Sequence, residues 1–277
     1  MSSLLTFGSD AEVCARYRVV HETRYRYQST VTLSQQYLHL TPRSFGYQQT
    51  ESHQIWLDRA VDDARDGTDY FGNCTRHVSL TVPHDSLLVH TESTVALFAR
   101  PTLADIGGTL PWKGTRDMMA KEKSAATLEA CRYRYSSPHV YSFPELEAYA
   151  RESYTPCRPQ LDAALELTHR IFEDFEFAAR ATEISTPLEQ GAAGAAWGLP
   201  GFCSADDRLL AQPRAAGSVY ILTHPPEGKP RLVGADASHA WVSVFCPSIG
   251  WVDFDPTNRC LVGHEHITLG WGRDLVM

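Results

Sequence analysis

The stretch GADASHAWVSVFCPSIGWVDFDPTN, residues 234–258, decides how the chain is read. It holds two short apolar runs, HAWVSVFC and GWVDFD, joined by PSI. Runs of that length, rich in Val, Phe and Trp and bounded by Pro and Gly, read as neighbouring antiparallel strands. His239 opens the first run and Asp255 closes the second, 16 residues on. Adjacent strands can hold an imidazole against a carboxylate, which fixes the ring's tautomer and stabilises its charged form. Taken singly, His239 reads as a core histidine and Asp255 as the turn-forming residue before Pro256. Their joint spacing and context are what point to catalysis. The group that such a pair activates is a cysteine thiol, because the thiol attacks as thiolate once the imidazole takes its proton.

Upstream of this block the signals are helical. FPELEAYARESY places Pro144 in a first turn, where its missing N–H is harmless. In RPQLDAALELTHRIFEDFEF, the residues Leu161, Leu165, Thr168, Ile171, Phe172 and Phe175 recur every three or four positions. Residues 16–97 read as all-β. Tyr17, Val19, His21, Thr23, Tyr25 and Tyr27 alternate with Arg18, Val20, Glu22, Arg24 and Arg26. YLHLTPR, SHQIWLD, RHVSLTVP and LLVHTESTVAL follow as strands, with DGTDYFGN (66–73) as turn chemistry. After position 219 the pattern returns to strands. The expected class is α+β: an N-terminal antiparallel β-sandwich over 15–97, a Gly- and Pro-containing connector over 98–145, and an α+β core over 146–277.

Composition narrows the partners. The 277 residues are 43% hydrophobic and 21% charged, a globular balance, with a net charge of −8. That charge lacks the basic footprint of a nucleic-acid or anionic-membrane binder. No run of 18 apolar residues spans a bilayer, and MSSLLTFGSDAEVC has no signal-peptide pattern. The seven cysteines are odd in number and form no CxxC pair, which reads as reduced cytoplasmic thiols without a metal site. Cys246, in VSVFCP, reads as a small core residue, and Trp241 and Trp251 as packing. His264 and His266 form a near pair but bring no third ligand into view.

The order of a β-domain, helices, DASHAW and GWVDFDPTN resembles the bacterial transglutaminase-like family, which carries a β domain ahead of a papain-like cysteine core. The resemblance also rests on YRVVHETRYRY, LHLTPR, DYFGN, PHDSLLVHTESTV, RIFEDFEF, STPLEQ and HITLGWGRD, so it covers most of the chain. It implies His239 as general base and Asp255 as the residue that orients it. It also implies a thioester intermediate, a protein or peptide substrate with amide groups, and no cofactor. It specifies neither the acyl acceptor nor the oligomeric state.

The family's nucleophile lies in a motif resembling RRGVCQDFAH, shortly after STP at the start of a helix, where the positive helix end favours thiolate. Here STPLEQ is followed by GAAGAAWGLPGFCSADDRLLAQPRAAGS (191–218), in which 13 of 28 residues are Ala or Gly. Pro200 and Pro213 bar a single helix through it. Residues 191–215 can be written in codons that, reread one base on, give VLQERRGVCQDFAQLMTACSRSLG, the string that the family pattern calls for. The reading is a one-base insertion near the codon of Gln190, with the frame restored before Tyr220. The catalytic codon then straddles those of Leu199 and Pro200, and its thiol is absent. Loss of one base near the end would likewise convert a longer DFGDV continuation into the present DLVM. Cys203 is the substitute thiol to weigh: Ser204 could cap a short helix behind it, but Asp206 and Asp207 oppose a thiolate and the register is about four residues off. The alternatives are a non-catalytic binding homologue and a frameshifted pseudogene product.

Overall fold

A computed structural model describes residues 12–135, 144–177, 196–197, 213–221, 232 and 239–273. Leu199, Pro200 and Cys203 lie outside the described residues, as do residues 1–11 of the N-terminal segment. Contacts divide the chain into two compact units, Met1–Arg100 with Ile267–Gly270, and Pro101–His266 with Trp271–Met277.

The first unit is a β-sandwich. One sheet has the order β1 (Val13–Val31), β6 (His84–Phe98), β3 (Gln48–Leu57), and the other β2 (Ser34–Leu38), β5 (Cys74–Leu80), β4 (Asp63–Thr68). All of these pairings are antiparallel. Along β1 the residues from Ala15 to Thr23 alternate between half-buried and exposed, so the period-2 pattern marks a strand with one wet face. Leu87 and Val89 of β6 meet Leu38 of β2 and Val78 and Leu80 of β5 between the sheets. DGTDYFGN divides: Asp66, Gly67 and Thr68 belong to β4, and the turn proper is Asp69–Asn73, closed by the Asp69 carboxylate accepting from the N–H of Phe71 and Asn73. The late segment Ile267–Gly270 joins this unit through Gln48, whose amide donates to the Thr268 carbonyl and accepts from the Thr268 N–H, both at 2.8 Å.

The second unit begins with helices where a connector was expected. α1 (Leu103–Ile106), α2 (Trp112–Lys121) and α3 (Ala125–Cys131) occupy much of 98–145. Their apolar positions are few, yet Ile106, Met119 and Ala130 are buried. Short helices with small stripes leave little periodicity to read. α4 (Pro144–Ser153) and α5 (Gln160–Asp174) follow. The buried face of α5 runs through Leu161, Ala164, Leu167, Thr168 and Ile171, whereas Phe172 is exposed. Leu165 and Phe175 pack partly buried against the same core, so of the six residues at helical spacing only Phe172 faces away.

After β7 (Glu176–Phe177) and β8 (Ala196–Trp197) comes a sheet made of β9 (Pro213–Ile221), β10 (His239–Cys246), β11 (Gly250–Asp255), β12 (Cys260–Leu261) and β13 (His266–Thr268). Its order is β12-β11-β10-β9-β13. β9 starts at Pro213, so strand structure resumes within the 191–218 stretch and earlier than position 219. Backbone pairing with β10 makes few demands on side-chain type, so an Ala/Gly-rich run can supply it. Strand β10 is buried along its whole length. Val242, Val244 and Cys246 join Val252 and Phe254 against α4 and α5, while Phe245 packs with Met119 and Ala130 on the opposite side. Helices on both faces explain why this run is apolar throughout rather than alternating.

Candidate active site

Strand register brings the pair together. Val242 pairs with Phe254 and Ser243 with Asp253, so the next step sets Asp255 opposite Trp241, two residues from His239. Such diagonal neighbours in an antiparallel sheet lie about 7–8 Å apart at Cα, within reach of an imidazole and a carboxylate. The pairing of β10 with β9 shifts register between His239 and Trp241. Irregularities of this kind re-aim a side chain at strand ends, and this one falls on the histidine itself.

His239 Nε2–H donates to both oxygens of Asp255 at 3.1 Å, with both residues buried. The hydrogen on Nε2 leaves Nδ1 as the basic nitrogen of the neutral ring. Asp255 takes three further donors. Asn258 N–H reaches Oδ1 at 3.2 Å, Asn258 Nδ2–H reaches Oδ2 at 2.7 Å, and His266 Nε2–H reaches Oδ2 at 3.2 Å. Burial alone would raise this carboxyl's pKa. Hydrogen bonds from His239 and His266 outweigh it and hold Asp255 well below the ordinary carboxylate range. The site therefore keeps a charged, fully buried acceptor that can stabilise an imidazolium.

Cys260, on the strand paired with β11, stands beside Asp255. Its thiol is pushed up to about 12 by burial first, then by the negative charges of Asp255 and Glu265. A thiol so placed is a poor nucleophile at neutral pH. Ligand atoms of Asp255, Cys260 and His266 lie within 4.8 Å of one another. A metal on His266 Nε2 would put the ring's proton on Nδ1, which accepts the Gly263 N–H at 3.3 Å. The donor set is thus arranged as a hydrogen-bond network around the carboxylate, and the arrangement does not suit a metal.

His239 and Asp255 are brought into contact as the paired strands imply, whereas the Leu199/Pro200 position and Cys203 lie outside the described residues. The HEH pair separates: His264 is exposed and His266 is buried against Asp255. Sequence reasoning missed His266, Asn258 and Cys260 as neighbours of the pair. Asn258 had a legible signal, since a residue three past a turn Asp can reach back to it. Nothing in the sequence separated His266 from His264. Cys246 and Trp241 are buried, and Trp251 packs edge-on against Phe245 and Tyr133.

Comparison with known proteins gives the same frame. Residues 17–96 match the bacterial transglutaminase-like N-terminal region. Uncharacterized proteins of Mycobacterium bovis and Mycobacterium tuberculosis are 34% identical over 274 residues, covering 94% of this chain and 84% of theirs. A Mycobacterium leprae relative, also uncharacterized, is 25% identical over 94% of this chain and 89% of its own. Among solved structures, a "putative cysteine protease" from Cytophaga hutchinsonii aligns with a TM-score of 0.70 over 94% of this chain and 82% of that one. At 14% identity that likeness speaks for the fold, an α+β architecture of the cysteine-protease type. With the N-terminal match and the mycobacterial relatives together, the chain belongs to the bacterial transglutaminase-like family.

Proposed function

We propose that this is a transglutaminase-like cysteine acyl-transfer site that has lost its nucleophile. The observation that carries the reading is the buried His239–Asp255 pair, held with Nε2 toward the carboxylate. In the ancestral chemistry, a cysteine gives its proton to His239 Nδ1 and its thiolate attacks the carbonyl carbon of a protein or peptide amide. His239 then returns the proton to the departing nitrogen as the C–N bond breaks. The resulting thioester passes its acyl group to an amine or to water. Asp255 stabilises the imidazolium through both steps. The catalytic residues are His239 and Asp255, and no cofactor is required.

As written, the chain has Leu199 and Pro200 where the thiol belongs, and it is inactive on this reading. Loss of a triad nucleophile removes several orders of magnitude in rate. We attribute residues 191–215 to a one-base shift, and the coding DNA from codon 185 to codon 225 tests that origin. A product without the extra base would read RRGVCQDFA across this segment. The activity test compares this chain with one carrying VLQERRGVCQDFAQLMTACSRSLG in place of residues 191–215, using incorporation of a fluorescent amine and hydrolysis of a peptide amide. Turnover by the replaced chain, abolished by His239→Ala, supports the proposal. Turnover by the present chain that disappears in Cys203→Ser would refute loss of the nucleophile. The second reading is a non-catalytic binding homologue, favoured by retention of the buried pair without its thiol. It predicts cooperative unfolding of the present chain and no acyl-enzyme in either form.

A further inference from the structure

Within the proposed acyl-transfer site, on which this inference rests, we propose that His266 is a positioning residue that shares the Asp255 carboxylate with His239 and thereby sets how strongly Asp255 binds the catalytic imidazole. The geometry dictates the direction of the contact. Gly263 N–H donates to His266 Nδ1 at 3.3 Å, so the neutral ring carries its proton on Nε2. That Nε2–H points at Asp255 Oδ2, at 3.2 Å. The ring is buried and braced edge-on by Trp241, with centroids 5.1 Å apart and planes at 83°. Asn258 holds the same carboxylate through its N–H and its side-chain amide. Asp255 therefore stays in place when one donor is removed, and what changes is the charge left for His239. Among the described residues, further ionisable groups at this end of the sheet are Cys260 on β12 and, in the turn before His266, Glu265 and the exposed His264.

One neutral donor on a buried carboxylate draws off part of its negative charge. Without His266, more of that charge faces His239, and its imidazolium is stabilised. His239 would then hold a proton longer and return it to a departing amine less readily. His266 tempers the base through Asp255.

Two substitutions separate the ring's two bonds. His266→Asn keeps an acceptor near Nδ1 for Gly263 and removes the donor to Asp255. His266→Gln carries a donor out to the Nε2 position. The experiment is a pH titration of the full-length, ¹⁵N-labelled chain followed by long-range ¹H–¹⁵N correlation of the histidine rings. In the unsubstituted chain, the His266 ring shows the Nε2–H tautomer. The His239 midpoint rises by about one pH unit, a tenfold change in proton affinity, in His266→Asn and returns toward its original value in His266→Gln. A His239 midpoint unchanged in a folded His266→Asn chain overturns the inference. So does an Nδ1–H tautomer of His266 in the unsubstituted chain, which needs no variant to fold. Asp255→Asn serves as the separate control. If it moves His239 while His266→Asn does not, the His239–Asp255 reading stands and only the role of His266 falls. If neither moves His239, the acyl-transfer site itself is refuted.

Discussion

Replacing Asp255 by Asn changes one atom, and the network around it converts that change into a large loss of stability. The carboxylate accepts from His239 Nε2, His266 Nε2, Asn258 N–H and Asn258 Nδ2. An amide offers one oxygen in place of two and turns its NH₂ toward at least one of these donors. If Oδ2 becomes nitrogen, it faces His266 and Asn258 Nδ2; if Oδ1 does, it faces the Asn258 N–H. Each hydrogen bond to a buried charge contributes about 1.5–3 kcal/mol, and removing the charge regains part of its desolvation cost. The expected net loss is about 2–4 kcal/mol, a large share of a typical stability of roughly 5–15 kcal/mol. Urea unfolding followed by tryptophan fluorescence measures it directly, because Trp241 lies beside His266. The pH dependence has a fixed sign. Asp255's folded pKa lies below its ordinary value of 3.8, so its contribution is fully present above that value. It is lost only as pH falls through the depressed folded pKa. The gap between the original chain and Asp255→Asn should thus close in strong acid, as Asp255 takes up its proton. A difference below about 0.5 kcal/mol at pH 7 would refute a network built on a charged carboxylate.

Other outcomes follow from packing and titration. Leu161→Ala empties a fully buried position on α5 and should cost about 2–5 kcal/mol in the same urea assay. Gly270→Ala places a Cβ 3.0 Å from the Asn73 side chain, so one of them must move; a loss of about 1–3 kcal/mol is expected, measured as a shift in urea midpoint. His21, His39 and His53 in the β-sandwich are held neutral by burial, which lowers their pKa values. Their contribution is present above the unfolded value near 6.5 and is lost as pH falls through the depressed values, so urea midpoints at pH 7 should exceed those at pH 5. In Ellman titration at pH 8, exposed Cys14, Cys74 and Cys157 should react in the fast phase. Cys260 should stay unmodified, so Cys260→Ser leaves the amplitude of that phase unchanged.

The N-terminal strands were legible because a sheet with one wet face writes its period into the chain, as residues 15–23 do. Helices α1 to α3 were not, because a single buried residue such as Ile106 leaves no stripe to detect. On α5 the spacing located both the helix and its buried face, with Phe172 the exception. Ala163 and Ala164 allow close approach to the sheet, while Phe172 lies outside the core. Spacing alone does not mark Phe172, next to buried Ile171, as the residue that turns outward.

By itself, the sequence determined the α+β class, the family resemblance and the two residues at the heart of the candidate site. Each is written locally, in alternation, turn chemistry or a short motif. It also carried the Ala- and Gly-rich composition of residues 191–218, since composition needs no coordinates. Only the tertiary structure decided what surrounds Asp255. His266 reaches it from 11 residues away and Cys260 stands beside it across a strand pair, while His264 points to solvent. Which of two nearby histidines is buried depends on how the chain turns after β12, through Gly263 and its N–H bond to His266. That bond forms between groups whose proximity is a property of the folded turn, so no period in the sequence encodes it.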